Sequence, residues 1–204
     1  MTIYCYDTEF LEDGKTIELI SIGIVCEDGR EYYAVNSDCN WERIRKHDWL
    51  WENVVPHLPT VTASDDGVWL GPPTTAAETQ LLTKLDTTNA AVKPRWVIAN
   101  EVHDFLVGHL KPFGAKDGKP FCVMEEIPEL WAYFGAYDHV ALCQLWGAMM
   151  GLPNLIPMWT HDLNQLTERI PGFKKPAHEG DAHNALADAK WLYDALCAAK
   201  AALG

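Results

Sequence analysis

Two carboxylates, Asp7 and Glu9, lie two residues apart near the start of the sequence, in the stretch 3–10 (IYCYDTEF). This stretch is aromatic, β-branched and mostly apolar, which predicts a β-strand. Because side chains two residues apart on a strand point to the same side, the two carboxylates are expected to lie close together and to repel each other. A divalent cation such as Mg²⁺ or Mn²⁺ would relieve that repulsion, since it prefers carboxylate oxygens. An edge strand with a polar face is the alternative interpretation.

Three more residues with reactive side chains lie far along the chain: Asp138, His183 and Asp188. Each has an ordinary explanation when it is considered alone. Asp138 could cap the helix that follows it, His183 could be a surface histidine, and Asp188 could be a solvated residue of an Ala-rich helix. These separate explanations do not account for the order and spacing of the three residues together with Asp7 and Glu9.

Three short segments carry a resemblance to a known group of enzymes. The segments 7–10 (DTEF) and 136–139 (AYDH), and His183 followed after four residues by Asp188, resemble the exonuclease motifs of the DEDD superfamily, in its histidine subgroup, DEDDh. Longer strings are similar to the actinobacterial family of polyadenylate-specific 3′-5′ exoribonucleases: YDTEF, IELISIG, GREYYAV and GAYDHVALCQLWG. The similarity covers residues 3–36 and 129–193 but not about 40–125.

The resemblance implies a reaction and assigns roles to five residues. Asp7, Glu9, Asp138 and Asp188 would together hold two divalent ions, Mg²⁺ or Mn²⁺. His183 would be the general base that takes a proton from the attacking water. The products would be nucleoside 5′-monophosphates, released from the 3′ end of single-stranded RNA. A homodimer is suggested by analogy alone.

The sequence gives weaker evidence for the residues that would contact the RNA than for the metal ligands. Phe10, which directly follows the motif carboxylates, could stack on the terminal base or could belong to the core. Lys174 and Lys175, in the loop before His183, could contact phosphates. Further residues of the same kind are His178, Arg43, Arg45 and Lys46. For all of the basic residues, a solvated surface charge is the ordinary alternative.

The elements that must position these residues predict a ribonuclease-H-like α/β fold. Asp-Gly turns at 13–14 and 28–29 separate three β-type runs, 3–10, 16–26 and 30–35, which predicts an antiparallel meander. A fourth strand over 129–134 is expected to lie parallel to the first, which would bring Asp138 to the carboxyl end of the strand that carries Asp7 and Glu9. A short fifth strand over 157–160 completes a mixed five-stranded sheet flanked by helices.

Apolar periodicity predicts the helices and one irregular region. Helices are expected over 40–58, 76–85, 96–110, 138–150, 162–170 and 183–203, and a β-type run over 121–124. Residues 1–204 would form a single exonuclease domain, with an irregular insertion or long connection at about 59–125.

Composition narrows the class of protein further. The chain has 204 residues, of which 48% are hydrophobic, and it contains no apolar run long enough to cross a membrane. Its N-terminus lacks a signal-peptide pattern and its six cysteines show no ligand spacing, so a cytoplasmic protein with reduced thiols is expected. The net charge of −13 argues against a protein that coats duplex nucleic acid, but a short single-stranded end could still bind beside metal ions.

Two other functions share these features. A DEDDh exonuclease that acts on DNA ends would carry the same motifs, because discrimination between RNA and DNA depends on contacts to the 2′-hydroxyl. A catalytically silent nucleic-acid-binding module would keep the fold, but the presence of all five catalytic-type residues disfavours it.

Overall fold

A computed structural model describes residues 1–62, 73–108, 127–178 and 182–204, together with the backbone of 115–116 and 119–120. Its strands, in chain order, are β1 (Ile3–Glu12), β2 (Ile17–Cys26), β3 (Glu31–Asn36), β4 (Thr60–Thr62), β5 (Thr83–Leu85), β6 (Val92–Lys93), β7 (Ala115–Lys116), β8 (Lys119–Pro120), β9 (Glu129–Ala132) and β10 (His161–Asp162). Its helices are α1 (Trp41–Arg45), α2 (Asp48–Asn53), α3 (Ala76–Leu82), α4 (Arg95–Val107), α5 (Ala136–Cys143), α6 (Leu163–Thr167) and α7 (Ala185–Leu203).

A mixed sheet with the strand order β10-β9-β1-β2-β3-β6 forms the centre of the described structure. Strands β1, β2 and β3 pair antiparallel, which confirms the predicted meander. Strand β9 lies parallel to β1, with Cys5 opposite Trp131, as expected for the fourth strand. The mixed α/β architecture agrees with the predicted ribonuclease-H-like fold.

The edges of the sheet differ from the prediction. The last strand is not at 157–160 but at His161–Asp162, where two residues pair in parallel with β9. A sixth strand, β6, pairs in parallel with the end of β3. Each edge strand has only two residues in the ladder, so side-chain alternation is too short to reveal either one.

Several helices are shorter than predicted. The helix expected over 40–58 is divided into α1, α2 and a 3₁₀ turn, Val55–His57. The division falls before His47, whose ring nitrogen accepts a hydrogen bond from the backbone N–H of Leu50 and so starts a new helix. Helix α5 ends at Cys143 and continues as 3₁₀ turns, whereas α4, α6 and α7 lie where helices were expected. The β-type run at 121–124 lies outside the described residues.

Helices cover both faces of the sheet, and β1 is buried between them. Its side chains alternate: Tyr4 and Tyr6 belong to the core under α4 and α5, whereas Cys5 packs in the core under α7. Following the same alternation, Asp7 and Glu9 face α7 and Thr8 faces α5. In the part of the chain that the structure describes, no helix is both long enough and apolar enough to span a membrane.

Candidate active site

All five residues predicted to be catalytic line one cavity of about 470 Å³. The cavity lies at the carboxyl end of β1, between the N-terminal ends of α5 and α7. Asp7 and Glu9 come from β1, and the other three residues are Asp138, His183 and Asp188. Phe10, Tyr133 and Trp191 supply aromatic surface to the same walls. The parallel pairing of β9 with β1 is what brings α5, and therefore Asp138, to this end of the sheet.

Three of the carboxylates form a tight group. One oxygen each from Asp7, Glu9 and Asp188 can be chosen so that all three oxygens lie within 4.8 Å of one another. The two-residue spacing of Asp7 and Glu9 on β1 places both on the face that α7 covers. Asp188 reaches them from the first turn of α7.

Asp138 lines the same cavity but lies outside this tight group. Its Oδ1 accepts two hydrogen bonds from Thr8, one from the backbone N–H at 2.9 Å and one from the side-chain hydroxyl at 2.7 Å. Thr8 faces α5 because it alternates with Asp7 and Glu9 along β1. Asp138 is therefore hydrogen-bonded to β1 at Thr8, the residue between Asp7 and Glu9. Its other oxygen, Oδ2, takes part in neither of these two bonds.

Local structure at the start of α7 fixes Asp188 and His183. Asn184 caps the helix by accepting a hydrogen bond from the backbone N–H of Ala187 at 3.0 Å. His183 has a positive φ of 68°, which turns its backbone N–H toward Asp188 Oδ2 at 3.0 Å. The imidazole of His183 meets Trp49 of α2 edge to face, with ring centroids 4.8 Å apart.

Burial and nearby carboxylates raise the pKa values of three carboxyl groups in the cavity, those of Asp7, Glu9 and Asp138. The pKa of Asp7 lies well above its ordinary value, first because the group is buried and then because Asp138, Glu9 and Asp188 are near. Burial and the charges of Asp188 and Asp138 raise the pKa of Glu9 to about 8. Burial also raises the pKa of Asp138, although its hydrogen bonds from Thr8 oppose the shift. Without a cation, full ionisation of these carboxyl groups is therefore unfavourable.

The donor set fits hard divalent cations. It consists of carboxylate oxygens, which Mg²⁺ and Mn²⁺ prefer, and three of the carboxylates can reach a common point.

The metal-free protein is expected to lose stability as the pH rises. Because the pKa of Glu9 is raised in the folded protein, the contribution of this group to the free energy of unfolding is fully present below its unfolded pKa of 4.5. That contribution is lost as the pH rises to about 8. The raised pKa of Asp7 acts in the same direction. We expect the melting temperature in EDTA to fall by roughly 5–10 °C between pH 5.5 and 8. Glu9→Gln, which mimics the protonated side chain, should reduce this fall. A melting temperature that rises over the same interval would contradict the assignment.

The residues predicted to contact the substrate lie in different parts of the structure. Phe10 lines the cavity and stacks on Tyr137, with centroids 5.9 Å apart and planes inclined by 18°. Lys174 and Lys175 line a separate pocket, and Lys175 Nζ lies 2.6 Å from Asn164 Oδ1. Of the four other residues proposed from the sequence, His178 lines the cavity, Arg43 pairs with Asp13, and Arg45 and Lys46 pair with Glu42.

Three residues make contacts at the site that the sequence analysis did not predict. Thr8 binds Asp138, Trp49 contacts His183, and His178 lies against Asp188 with Nε2 and Oδ1 2.6 Å apart. Thr8 carried a usable signal, because it alternates with the two carboxylates of β1 and must point to the opposite face. The sequence gives no signal for the contact of Trp49, and it indicates His178 only as a candidate phosphate contact, since both contacts depend on tertiary packing.

Two comparisons with known proteins give the same result. The family model of the 3′-5′ exoribonuclease Rv2179c-like domain matches residues 2–199. The 3′-5′ exoribonuclease Rv2179c of Mycobacterium tuberculosis (strain ATCC 25618 / H37Rv) is 40% identical over 187 residues, which cover 92% of this chain and 86% of the relative. The 3′-5′ exoribonuclease MT2234.1 of the strain CDC 1551 / Oshkosh shows the same identity and coverage. The chain therefore belongs to the family of 3′-5′ exoribonucleases that this model describes.

Proposed function

We propose that the protein is a metal-dependent 3′-5′ exoribonuclease that removes nucleoside 5′-monophosphates from single-stranded RNA by two-metal-ion hydrolysis. The observation that supports this most directly is the group of Asp7, Glu9 and Asp188, whose ligand atoms lie within 4.8 Å of one another in a cavity shared with Asp138 and His183. Family membership supports the exoribonuclease activity, and the chemistry of the donor set supports Mg²⁺ or Mn²⁺ as the cofactor.

Each carboxylate has a distinct place in the proposed site. Asp7 is the central one, because Asp138, Glu9 and Asp188 all act on its pKa. Asp7, Glu9 and Asp188 would hold one ion, and Asp7 with the outer oxygen of Asp138 would hold the second. Two divalent ions bound there would stabilise the attacking and the leaving oxygens of an in-line displacement at phosphorus. Thr8 keeps Asp138 in place through its two hydrogen bonds.

His183 would act as the general base of the reaction. His183 lines the cavity, and its backbone N–H donates to Asp188 at 3.0 Å, which holds this residue beside the carboxylates. An imidazole is suited to take a proton from water near neutral pH, and general-base catalysis contributes about 10²–10⁴-fold to a rate.

Replacement of this base should separate catalysis from metal binding. We expect His183→Gln to lower the turnover rate by about 10²–10⁴-fold, because the proton acceptor is lost. The stabilisation by Mn²⁺, measured as an increase in melting temperature, should stay close to that of the unmodified protein. A variant with undiminished turnover would show that a different group accepts the proton.

The substrate is proposed to be a single strand held by its 3′ end. Phe10 and Tyr137 form a stacked aromatic pair at the cavity, and Tyr137 is 54% exposed, so a base can reach it. The net charge of −13 disfavours an extended phosphate interface. Bound cations would offset the local charge where the scissile phosphate enters.

The wider predictions belong to the same proposal. We propose that residues 1–204 act as one exonuclease domain in which about 59–125 is a long connection, that the enzyme works in the cytoplasm without a membrane partner, and that it forms a homodimer. Light scattering coupled to size-exclusion chromatography tests the last of these, since a mass near 22.9 kDa would contradict a dimer.

The activity is tested with matched oligonucleotides. A 20-nucleotide RNA labelled at its 5′ end and the DNA of the same sequence are each incubated with Mg²⁺, Mn²⁺ or EDTA, and the products are resolved by length. A ladder that shortens from the 3′ end of the RNA only when a metal is present is the expected result. Degradation of DNA alone would favour the DNA exonuclease, and binding of either strand without degradation would favour the catalytically silent module.

A further inference from the structure

A second imidazole, from His178, lies on the side of the cavity that α7 forms. Its Nε2 is 2.6 Å from Asp188 Oδ1, and the other oxygen of the same carboxylate accepts the hydrogen bond from the His183 N–H at 3.0 Å. Both oxygens of Asp188 are therefore contacted by residues that precede α7. His178 is not part of the group whose ligand atoms lie within 4.8 Å of one another, so it acts on that group through Asp188.

The segment before His178 is anchored by several contacts. Trp191 of α7 donates a hydrogen bond from Nε1 to the carbonyl oxygen of Pro176 at 3.1 Å, and its ring lies against the ring of His178 with centroids 5.4 Å apart. Lys175 Nζ contacts Asn164 Oδ1 at 2.6 Å and the hydroxyl of Tyr133 at 3.2 Å. These contacts hold the segment on α6, β9 and α7, so the imidazole has a defined position.

The surroundings of the imidazole leave Asp188 as its main electrostatic partner. Both ring nitrogens are buried, and neither has an aligned hydrogen-bond partner within the described parts of the chain. Nε2 and Oδ1 are nevertheless only 2.6 Å apart, and the tautomer that carries its proton on Nε2 would make this contact attractive, whereas a lone pair there would repel the oxygen. A polar N–H held at this point orients the carboxylate and offsets part of its charge, as groups that contact metal ligands commonly do.

We propose that His178 is a positioning residue, which holds the Asp188 carboxylate in the orientation that binds a divalent cation together with Asp7 and Glu9. This inference rests on the proposed function, since it concerns the metal group of the same cavity. It adds a residue that lies ten positions before Asp188 and outside the three exonuclease motifs.

Two substitutions separate positioning from packing. His178→Phe keeps an aromatic ring against Trp191 but removes the N–H, whereas His178→Gln removes the ring but keeps an amide N–H at a similar reach. His103→Gln is the matched control, because His103 contacts Asp104 on α4, outside the cavity. Titration of the metal-free proteins with Mn²⁺ in a calorimeter gives the Kd, and circular dichroism shows whether each variant is folded.

We expect His178→Phe to weaken Mn²⁺ binding by about 10–100-fold. His178→Gln and the control should bind nearly as the unmodified protein does, and a high Mn²⁺ concentration should restore nucleotide release by His178→Phe. Equal losses in the two His178 variants would overturn the inference, since they would show a packing role. Unchanged Mn²⁺ binding by His178→Phe would also overturn it while leaving the proposed function intact. If the unmodified protein bound no Mn²⁺, the inference and the metal proposal would fail together.

Discussion

Replacing Asp7 with asparagine is expected to lower the rate of nucleotide release from RNA by at least about 10³-fold, because the substitution removes the carboxylate shared by both proposed ions. Asp7 interacts with Asp138, Glu9 and Asp188, and all three raise its pKa. An asparagine has nearly the same shape as the aspartate, so the strand and its partners should keep their positions. Steady-state rates on the labelled RNA with saturating Mn²⁺ provide the measurement.

The same substitution should have the opposite effect on stability. The substitution removes a carboxyl group whose ionisation is opposed by desolvation and by three neighbouring carboxyl groups, so the melting temperature of the variant in EDTA should equal or exceed that of the unmodified protein. Asp104→Asn is a matched control, because Asp104 is an exposed carboxylate of α4 outside the cavity, and it should change neither quantity. More than about a tenth of the original activity in Asp7→Asn would be incompatible with this role.

The second large effect is expected at Gly23, where β2 passes under the start of α7. Gly23 lies opposite Asp7 in the β1–β2 register. A Cβ atom at this position would lie 2.4 Å from the backbone of Ala185 and from the Cα of Leu186, which is far inside van der Waals contact. Only glycine therefore lets α7 approach the sheet closely enough for Asp188 to meet Asp7 and Glu9.

Gly23→Ala should consequently move the start of α7 outward by about 1 Å and impair both stability and catalysis. Overpacking of this kind costs about 1–3 kcal/mol, which corresponds to a fall of roughly 3–10 °C in melting temperature. A displacement of about 1 Å in a catalytic group can reduce a rate by about 10²-fold. Thermal unfolding and RNA hydrolysis measure the two effects.

Gly14→Ala, in the turn between β1 and β2, distinguishes close packing from backbone strain. Gly14 has a φ of 77°, and a Cβ there would meet nothing within 4 Å among the described residues. The control should lose about 1–2 kcal/mol of stability through its backbone conformation and keep its activity. Full activity in Gly23→Ala would instead mean that the close packing of α7 on β2 at Gly23 does not position Asp188.

The central strands and the long terminal helix could be predicted because their patterns are long. Strands β1 and β2 have ten residues each and are rich in β-branched, aromatic and apolar side chains, and α7 has nineteen residues, so its helical periodicity is repeated several times. The two-residue strands β6 and β10 contain no such repetition. Their places in the sheet are decided by the packing of neighbouring elements, which single-sequence patterns do not contain.

Some contacts in the candidate site could be predicted from the sequence, and others could not. The adjacency of Asp7 and Glu9 follows from the two-residue period of a strand, and the ligand atoms of Asp188 lie beside theirs in the structure. Trp49 lies in the region that the resemblance does not cover, and its contact with His183 depends on how α2 packs beside α7. The contact between His178 and Asp188 likewise depends on the tertiary path of the segment before α7.

The most direct test of the metal site is a crystal of the protein grown with Mn²⁺, with diffraction data collected at a wavelength where manganese scatters anomalously. We predict an anomalous peak within coordination distance of the carboxylate oxygens of Asp7, Glu9 and Asp188, and a second peak between Asp7 and Asp138 when a nucleotide is bound. An ordered cavity with no anomalous peak at these carboxylates would contradict the claim that they form a metal-binding catalytic site.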